Sequence, residues 1–338
     1  MATLNFYKRK NMIAITGGLG YIGLHTAAKL LKENHEVVLI DNQFNSKLFM
    51  LERLEQIVGR VVTYVHQDIR NTPALQRIFD QYRVSAVVHL AGMSPGSNPC
   101  ALEAYNSNVG GVLSLLRAMS RSGINTLVYG SSSYVLGASS DKLSEHGDID
   151  PPGPLARSFD VCEQIMSDLD QQDNWRIAIM RYFEIGGAHS SHLIGEHPKC
   201  MSNRIMPVFA HAANTGATVD ALSFVFDEPM LSRKIDLLHI DDVVEANLQA
   251  LAYLHSVEQS YDSFNIGSGQ AVSWQQIAAA MEEVSGNSVD LKLPEELSEL
   301  DRIADISHAK EVLKWEPKLD LQSICADALA FSLKVQPR

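Results

Sequence analysis

Cysteine is scarce in this chain: Cys100, Cys162, Cys200 and Cys325 stand far apart, and no two form a CxxC pair. That spacing excludes a disulfide framework or a zinc ribbon and leaves free thiols, with no metal site expected. Long hydrophobic runs are missing as well. Those present, such as Ser85–Ala91, are strand-length, far below the roughly 20 residues of a membrane-spanning helix. Lys8, Arg9 and Lys10 precede an apolar stretch of only Met12–Ile15. A secretory signal needs about 7–15 such residues, so a cytoplasmic protein is expected. Positive charge is in deficit: 28 Lys and Arg face 40 Asp and Glu, a formal net charge of −12. Nucleic acid and anionic membrane surfaces, which need basic patches, are excluded as partners. No internal repeat or low-complexity tract is visible.

What remains is ordinary globular material, 46% apolar and 20% charged over 338 residues, enough for one large or two small domains. From Met12 the chain alternates apolar strands with helical patterns. Strands are expected at Met12–Thr16, Glu36–Asp41, Val61–His66, Ala86–Ala91, Thr126–Gly130 and Arg176–Arg181. Helices are expected at Tyr21–Glu33, Lys47–Val58, Pro73–Tyr82, Cys100–Ser120 and Arg157–Gln171. Strands that are apolar on both faces, each followed by a helix, indicate a doubly wound parallel sheet of order 3-2-1-4-5-6. After Gly186 the texture becomes mixed, with helices near Ile205–Ala213, Asp242–His255, Trp274–Val284 and Leu321–Leu333 and strands at Ile235–Ile240 and Ser263–Ile266. The expected architecture is therefore α/β: a Rossmann-type domain at 11–185 and a smaller α+β lobe at 186–338. The boundary is soft, because some late segments return to the first sheet.

Gly17, Gly20 and Gly23 lie between the first strand and the first helix. The first permits a tight turn, the second lets backbone approach a pyrophosphate, and the third allows close helix packing at a dipole that favours anions. Asp41 closes the second strand, where a carboxylate accepts hydrogen bonds from a ribose and repels a 2′-phosphate. NAD is thus expected in preference to NADP.

Further blocks follow in order. Thr16–Gly23 reads TGGLGYIG, Leu39–Ser46 LIDNQFNS, Asp68–Asn71 DIRN and His89–Gly92 HLAG. Ser131–Gly137 reads SSSYVLG, Arg181–Phe183 RYF, Gly187–His189 GAH and Leu238–Asp242 LHIDD. From Met12 to Trp315 this resembles the UDP-galactose 4-epimerases, extended short-chain dehydrogenase/reductases. The resemblance implies NAD contacts from Gly17, Gly20, Tyr21, Ile22, Gly23, Asp41, Asn42, Asn45, Ser46, Asp68, Ile69, Leu90, Ala91, Gly92, Asn108 and Tyr182. It also implies a sugar-nucleotide ligand and a homodimer joined through the helices around Leu113–Ser120 and Phe159–Leu169, with Leu113, Leu116, Ile165 and Leu169 as apolar contacts. Ser94 stands where the family usually has a lysine.

The chemistry departs further. The family's base is a tyrosine, with a lysine four residues later on the same helix face to lower the phenol's pKa. Those positions are Leu155 and Phe159, in the run Pro154-Leu155-Ala156-Arg157-Ser158-Phe159, and no tyrosine lies between Tyr134 and Tyr182. Ser132 alone remains in the family's serine position. Arg157 faces another side of the helix, while Tyr134, His89 and Asp160 stay uncommitted. The resemblance aligns diphosphate-binding arginines with Ile235 and with Glu296 or a neighbour in the run Pro294–Glu299. Two family asparagines align with Glu184 and Arg204, and Arg204 and Arg233 are the cations available to compensate. Three readings follow: an NAD-binding protein without the epimerase chemistry, an enzyme with a rearranged catalytic group, and an ordinary epimerase.

Overall fold

The computed structural model describes residues 12–93, 99–170, 174–197, 204–224 and 231–335. The elements run β1 (Met12–Thr16), α1 (Tyr21–Lys32), β2 (Glu36–Asp41), α2 (Phe49–Val58), β3 (Thr63–His66), α3 (Thr72–Tyr82), β4 (Val84–His89), α4 (Ala101–Arg121), β5 (Thr126–Ser132), α5 (Pro154–Asp170) and β6 (Arg176–Tyr182). They continue with β7 (Glu184–Gly186), α6 (Ile205–Thr215), β8 (Val219–Asp220), β9 (Lys234–His239), α7 (Ile240–Ser256), β10 (Ser260–Ile266), β11 (Ala271–Ser273), α8 (Trp274–Ser285), β12 (Leu291–Lys292), α9 (Ser307–Val312) and α10 (Leu321–Val335).

Seven parallel strands form the central sheet in the order β3-β2-β1-β4-β5-β6-β10. Six of them follow the order expected of a doubly wound sheet, and β10 adds a seventh at the β6 edge. Side chains alternate between faces along each strand. Ile13 and Ile15 of β1 join one core with α1 and α7, whereas Ala14 joins the opposite core with α3, α4 and α5. Burial of side chains such as Phe79, Leu24 and Leu30 contributes about 2 kcal/mol each.

The division at residue 186 is crossed by β10, α7 and α9, whose Ala309 joins the core of the first sheet. β10 completes the first sheet, and α7 packs on α1 over the same face. The remaining C-terminal segments build a separate core from α6, α8 and α10, beside a small sheet of order β11-β9-β7. β4 ends at His89, two residues before the expected strand end, because Leu90 and Ala91 leave the ladder to wall a cavity. Among the described residues, no helix is long and apolar enough to cross a membrane, and no group of three or more His, Cys, Asp or Glu is placed to hold a metal ion.

Candidate functional site

A cavity of about 460 Å³ opens at the carboxyl ends of the central strands, around the switch point between β1 and β4. In doubly wound sheets this is where ligands bind. Gly17 lies in the left-handed region at φ +69°, and a Cβ there would sit 2.7 Å from the carbonyl carbon and oxygen of Leu90. A Cβ on Gly23 would collide with the Gly17 carbonyl, so α1 packs against the turn only because that position is glycine. The N-cap of α1 is Gly20, which supplies no side-chain cap. Its first N–H groups therefore point at the cavity for an anion.

Asp41, 6% exposed, is held in place by its surroundings. Oδ1 accepts hydrogen bonds from the Gln43 N–H and the Ser46 hydroxyl, both at 2.7 Å, and Oδ2 accepts from the Leu19 N–H at 3.1 Å. Three bonds leave lone-pair capacity on a fixed carboxylate at the cavity wall. Asp68 receives Arg70 at 2.6 Å and the Asn42 amide at 3.2 Å, and the hydrogen bonds from Arg70 hold its carboxyl at about 2.

All sixteen residues named above as NAD contacts line this cavity: Gly17, Gly20, Tyr21, Ile22, Gly23, Asp41, Asn42, Asn45, Ser46, Asp68, Ile69, Leu90, Ala91, Gly92, Asn108 and Tyr182. Several of them spend polar atoms on the protein, Tyr21 by donating its hydroxyl to Gly187 O at 2.7 Å. The Tyr182 hydroxyl donates to Asn247 Oδ1 at 2.7 Å, leaving its ring to form wall. Asn108 accepts from the Met93 N–H and donates to Ser158 Oγ at 2.8 Å, tying α4 to α5 beside the site. Ser94 lies outside the described residues.

At the opposite end the wall is formed by Ser132, Tyr134, Phe159, Phe183, Glu184, Glu196, His197 and Arg204. Phe159 and Leu155, 8% and 9% exposed, belong to the apolar core under α5 with Val135, Leu136 and Leu143. Ser132 is buried, its Oγ accepting from the Tyr134 N–H at 3.3 Å. Arg157 is exposed and Asp160 holds Gln164 at 2.7 Å, so neither reaches the site. His89 is stacked on Tyr129 with Nδ1 2.6 Å from Thr16 Oγ1, and burial pushes its imidazole down to about 3. It is a neutral structural histidine.

The two arginines available to hold a phosphate are already engaged. Arg204 Nε donates to Glu196 Oε1 at 2.8 Å, and Nη1 lies 3.6 Å from Glu184 Oε2. Burial works against the Arg204 charge, but the two carboxylates more than offset it and hold the guanidinium above its ordinary value. Burial in turn pushes the Glu196 carboxyl up despite Arg204, and its Oε2 has no hydrogen-bond partner. Arg233 is exposed and pairs with exposed Glu299 at 3.2 Å. Ile235 is buried on β9, while Glu295 and Glu296 are exposed. Glu196 and Arg302 belong to no motif in the sequence: Glu196 meets Arg204 eight residues on, and Arg302 Nη1 donates to the carbonyls of Ser133 and Leu136.

These features meet known proteins at one point. The profile described as the NAD dependent epimerase/dehydratase family matches residues 13–267. A UDP-glucose 4-epimerase of Bacillus subtilis (strain 168) is 32% identical over 326 residues, covering 94% of this chain and 95% of the relative. One from Neisseria meningitidis serogroup C is 33% identical over the same shares. The crystal structure of UDP-glucose-4-epimerase from Stenotrophomonas maltophila with bound NAD and formylated UDP-arabinopyranose superposes with a TM-score of 0.88 at 31% identity, covering 96% of this chain and 98% of that one. The Bifidobacterium longum enzyme in complex with NAD+ and UDP gives 0.85 at 26% identity, covering 96% and 99%.

Proposed function

We propose, from the premise that this chain belongs to the NAD dependent epimerase/dehydratase family, that it binds NAD and does not interconvert UDP-glucose and UDP-galactose. The dinucleotide fits the residues present. Gly17 and Gly23 admit no side chain, the α1 N-terminus offers N–H groups, and Asp41 offers carboxylate oxygens to a ribose. When bound, NAD supplies a hydride acceptor. The protein's own part would be to orient the dinucleotide, exclude water and move the substrate's hydroxyl proton.

The observation that carries the negative half is the apolar packing of Leu155 and Phe159 at the start of α5. A leucine takes no proton, and a phenylalanine neither lowers a neighbour's pKa nor holds a ribose hydroxyl. The commitment of Arg204 to Glu196 and Glu184 supports the same reading for the nucleotide. A diphosphate would have to break that pairing or bind without a bidentate cation. The test is a coupled assay with saturating NAD and UDP-galactose, beside calorimetry with UDP. We expect no turnover and no UDP binding at micromolar concentrations, and turnover at an ordinary enzymatic rate would overturn the proposal.

We extend the proposal to a homodimer built on α4 and α5, which pack side by side. Leu113, Ile165 and Leu169 are only half-buried in the single chain, while Leu116 is 5% exposed and belongs to its core. A cytoplasmic location remains part of the proposal, consistent with the net charge of −12.

A further inference from the structure

After β7 the chain doubles back on itself. Ala188 pairs with Gly195, the His189 N–H donates to Ile194 O at 3.1 Å, and the His192 N–H closes the turn on His189 O at 2.6 Å. The tongue so formed, Gly187–His197, brings Gly195, Glu196 and His197 to the cavity wall. His197 meets the ring of Phe49 edge-on at 5.7 Å, and Arg53 on the same helix donates to Leu193 O at 3.0 Å. At its other end, the hydroxyl of Tyr21, the first residue of α1, donates to Gly187 O at 2.7 Å. The tongue therefore spans from the N-terminus of α1 to α2, and Tyr21 and Met50 of those helices line the same cavity.

The tip of the tongue is strained. His192 has φ +54°, in the left-handed region that residues other than glycine seldom enter. Such a conformation persists where the surroundings over-determine it, and clamps over ligands are one such place. Here the surroundings are α10. His192 Nε2 donates to Asp327 Oδ1 at 2.9 Å, and His239 Nε2 donates to Oδ2 at 3.1 Å. His239 Nδ1 accepts from the Asp241 N–H at 3.0 Å, which puts the ring proton on Nε2 and leaves Asp327 as acceptor. Burial works against the Asp327 charge, but the two histidines more than offset it and hold the carboxyl below its ordinary value. Lys334 donates to Ser191 O at 2.7 Å, and a Cβ on Gly195 would lie 2.6 Å from the Phe331 ring. α10 fastens the tongue without itself lining the cavity.

We infer that Gly187–His197 is a retaining strap for the bound dinucleotide, fastened to α10 by His192, and that its unfastening is the step that releases NAD. His192 is a positioning residue, acting through Glu196 and His197 on the cavity wall. Opening lets His192 leave its left-handed conformation, so the strain held by the Asp327 bond favours release once that bond breaks. The inference rests on NAD occupying this cavity, which equilibrium binding tests separately from the rate of release.

The test mixes NADH-loaded protein with excess NAD and follows release by the loss of NADH fluorescence, with melting temperature as the check on folding. His192→Gly removes the imidazole and keeps the turn, because glycine adopts positive φ freely. Release should become at least about tenfold faster, as expected from losing a hydrogen bond to a charged group. Lys334→Met cuts a second fastening without touching the turn and should act in the same direction. His308→Ala breaks a comparable half-buried pair, 2.9 Å from Asp262, that lies outside the strap. It should lower the melting temperature and leave release unchanged. Release unaltered in both strap variants, or hastened equally by His308→Ala, would overturn the inference. An unmodified chain that takes up no NAD(H) at equilibrium would sink the cofactor reading and this one together. Normal uptake with unaltered release would sink this one alone.

Discussion

Replacing Arg204 by leucine isolates the energetics of the charged end of the cavity. Arg204 and Glu196 are 9% and 8% exposed, so the substitution leaves a carboxylate buried without its cation. Losing one member of a buried pair costs about 3–5 kcal/mol, because the surviving charge stays desolvated. In a protein of this size that corresponds to a melting-temperature loss on the order of 5–10 °C at neutral pH. The sign with pH follows from Glu196. Its folded-state pKa is already raised by burial, and removal of Arg204 raises it further. The folded variant therefore holds a proton that the unfolded chain releases near the ordinary glutamate value of about 4.3. Below that value the proton is bound in both states and this part of the deficit vanishes. Between the raised folded-state value of the unmodified chain and the higher one of the variant, the gap between them opens by up to about 1.4 kcal/mol per pH unit. Differential scanning of Arg204→Leu against the unmodified chain at pH 4.5 and 7.5 should show a gap much wider at the higher pH. Adding Glu196→Gln should close most of it. A gap of equal size at both pH values, or one that Glu196→Gln leaves intact, would refute the buried-charge argument.

Three more outcomes are expected. Asp41→Ala should weaken NAD by roughly ten- to a hundredfold, the worth of a hydrogen bond to a charged group, and narrow the preference over NADP in calorimetry. An unmodified chain that binds NADP as tightly as NAD would contradict the role given to this carboxylate. Leu155→Tyr with Phe159→Lys should produce no UDP-galactose turnover in a coupled assay, because Arg204 remains held by Glu184 and Glu196. Activity from that pair alone would place the whole deficit in the dyad. Leu113→Glu with Ile165→Glu should convert a dimer to a monomer in light scattering, and an unmodified chain already monomeric at micromolar concentration would remove the α4–α5 interface.

What the sequence determined by itself was whatever depends on near neighbours. The glycine fingerprint, Asp41 at the end of β2 and the alternation of strand and helix are local patterns with one steric solution. The order of the first six strands follows because right-handed crossovers leave few alternatives. The apolar identity of positions 155 and 159 was equally plain, since the i, i+4 spacing of a helix fixes which residues share a face. Tertiary structure alone decided what distant segments do to one another. Only the fold returns β10 and α7 to the first domain, because a strand's pairing partner is set by the surface it can bury and not by its place in the chain. Only the fold brings Glu196 and Glu184 against Arg204, turning an apparent phosphate ligand into one arm of an internal ion cluster.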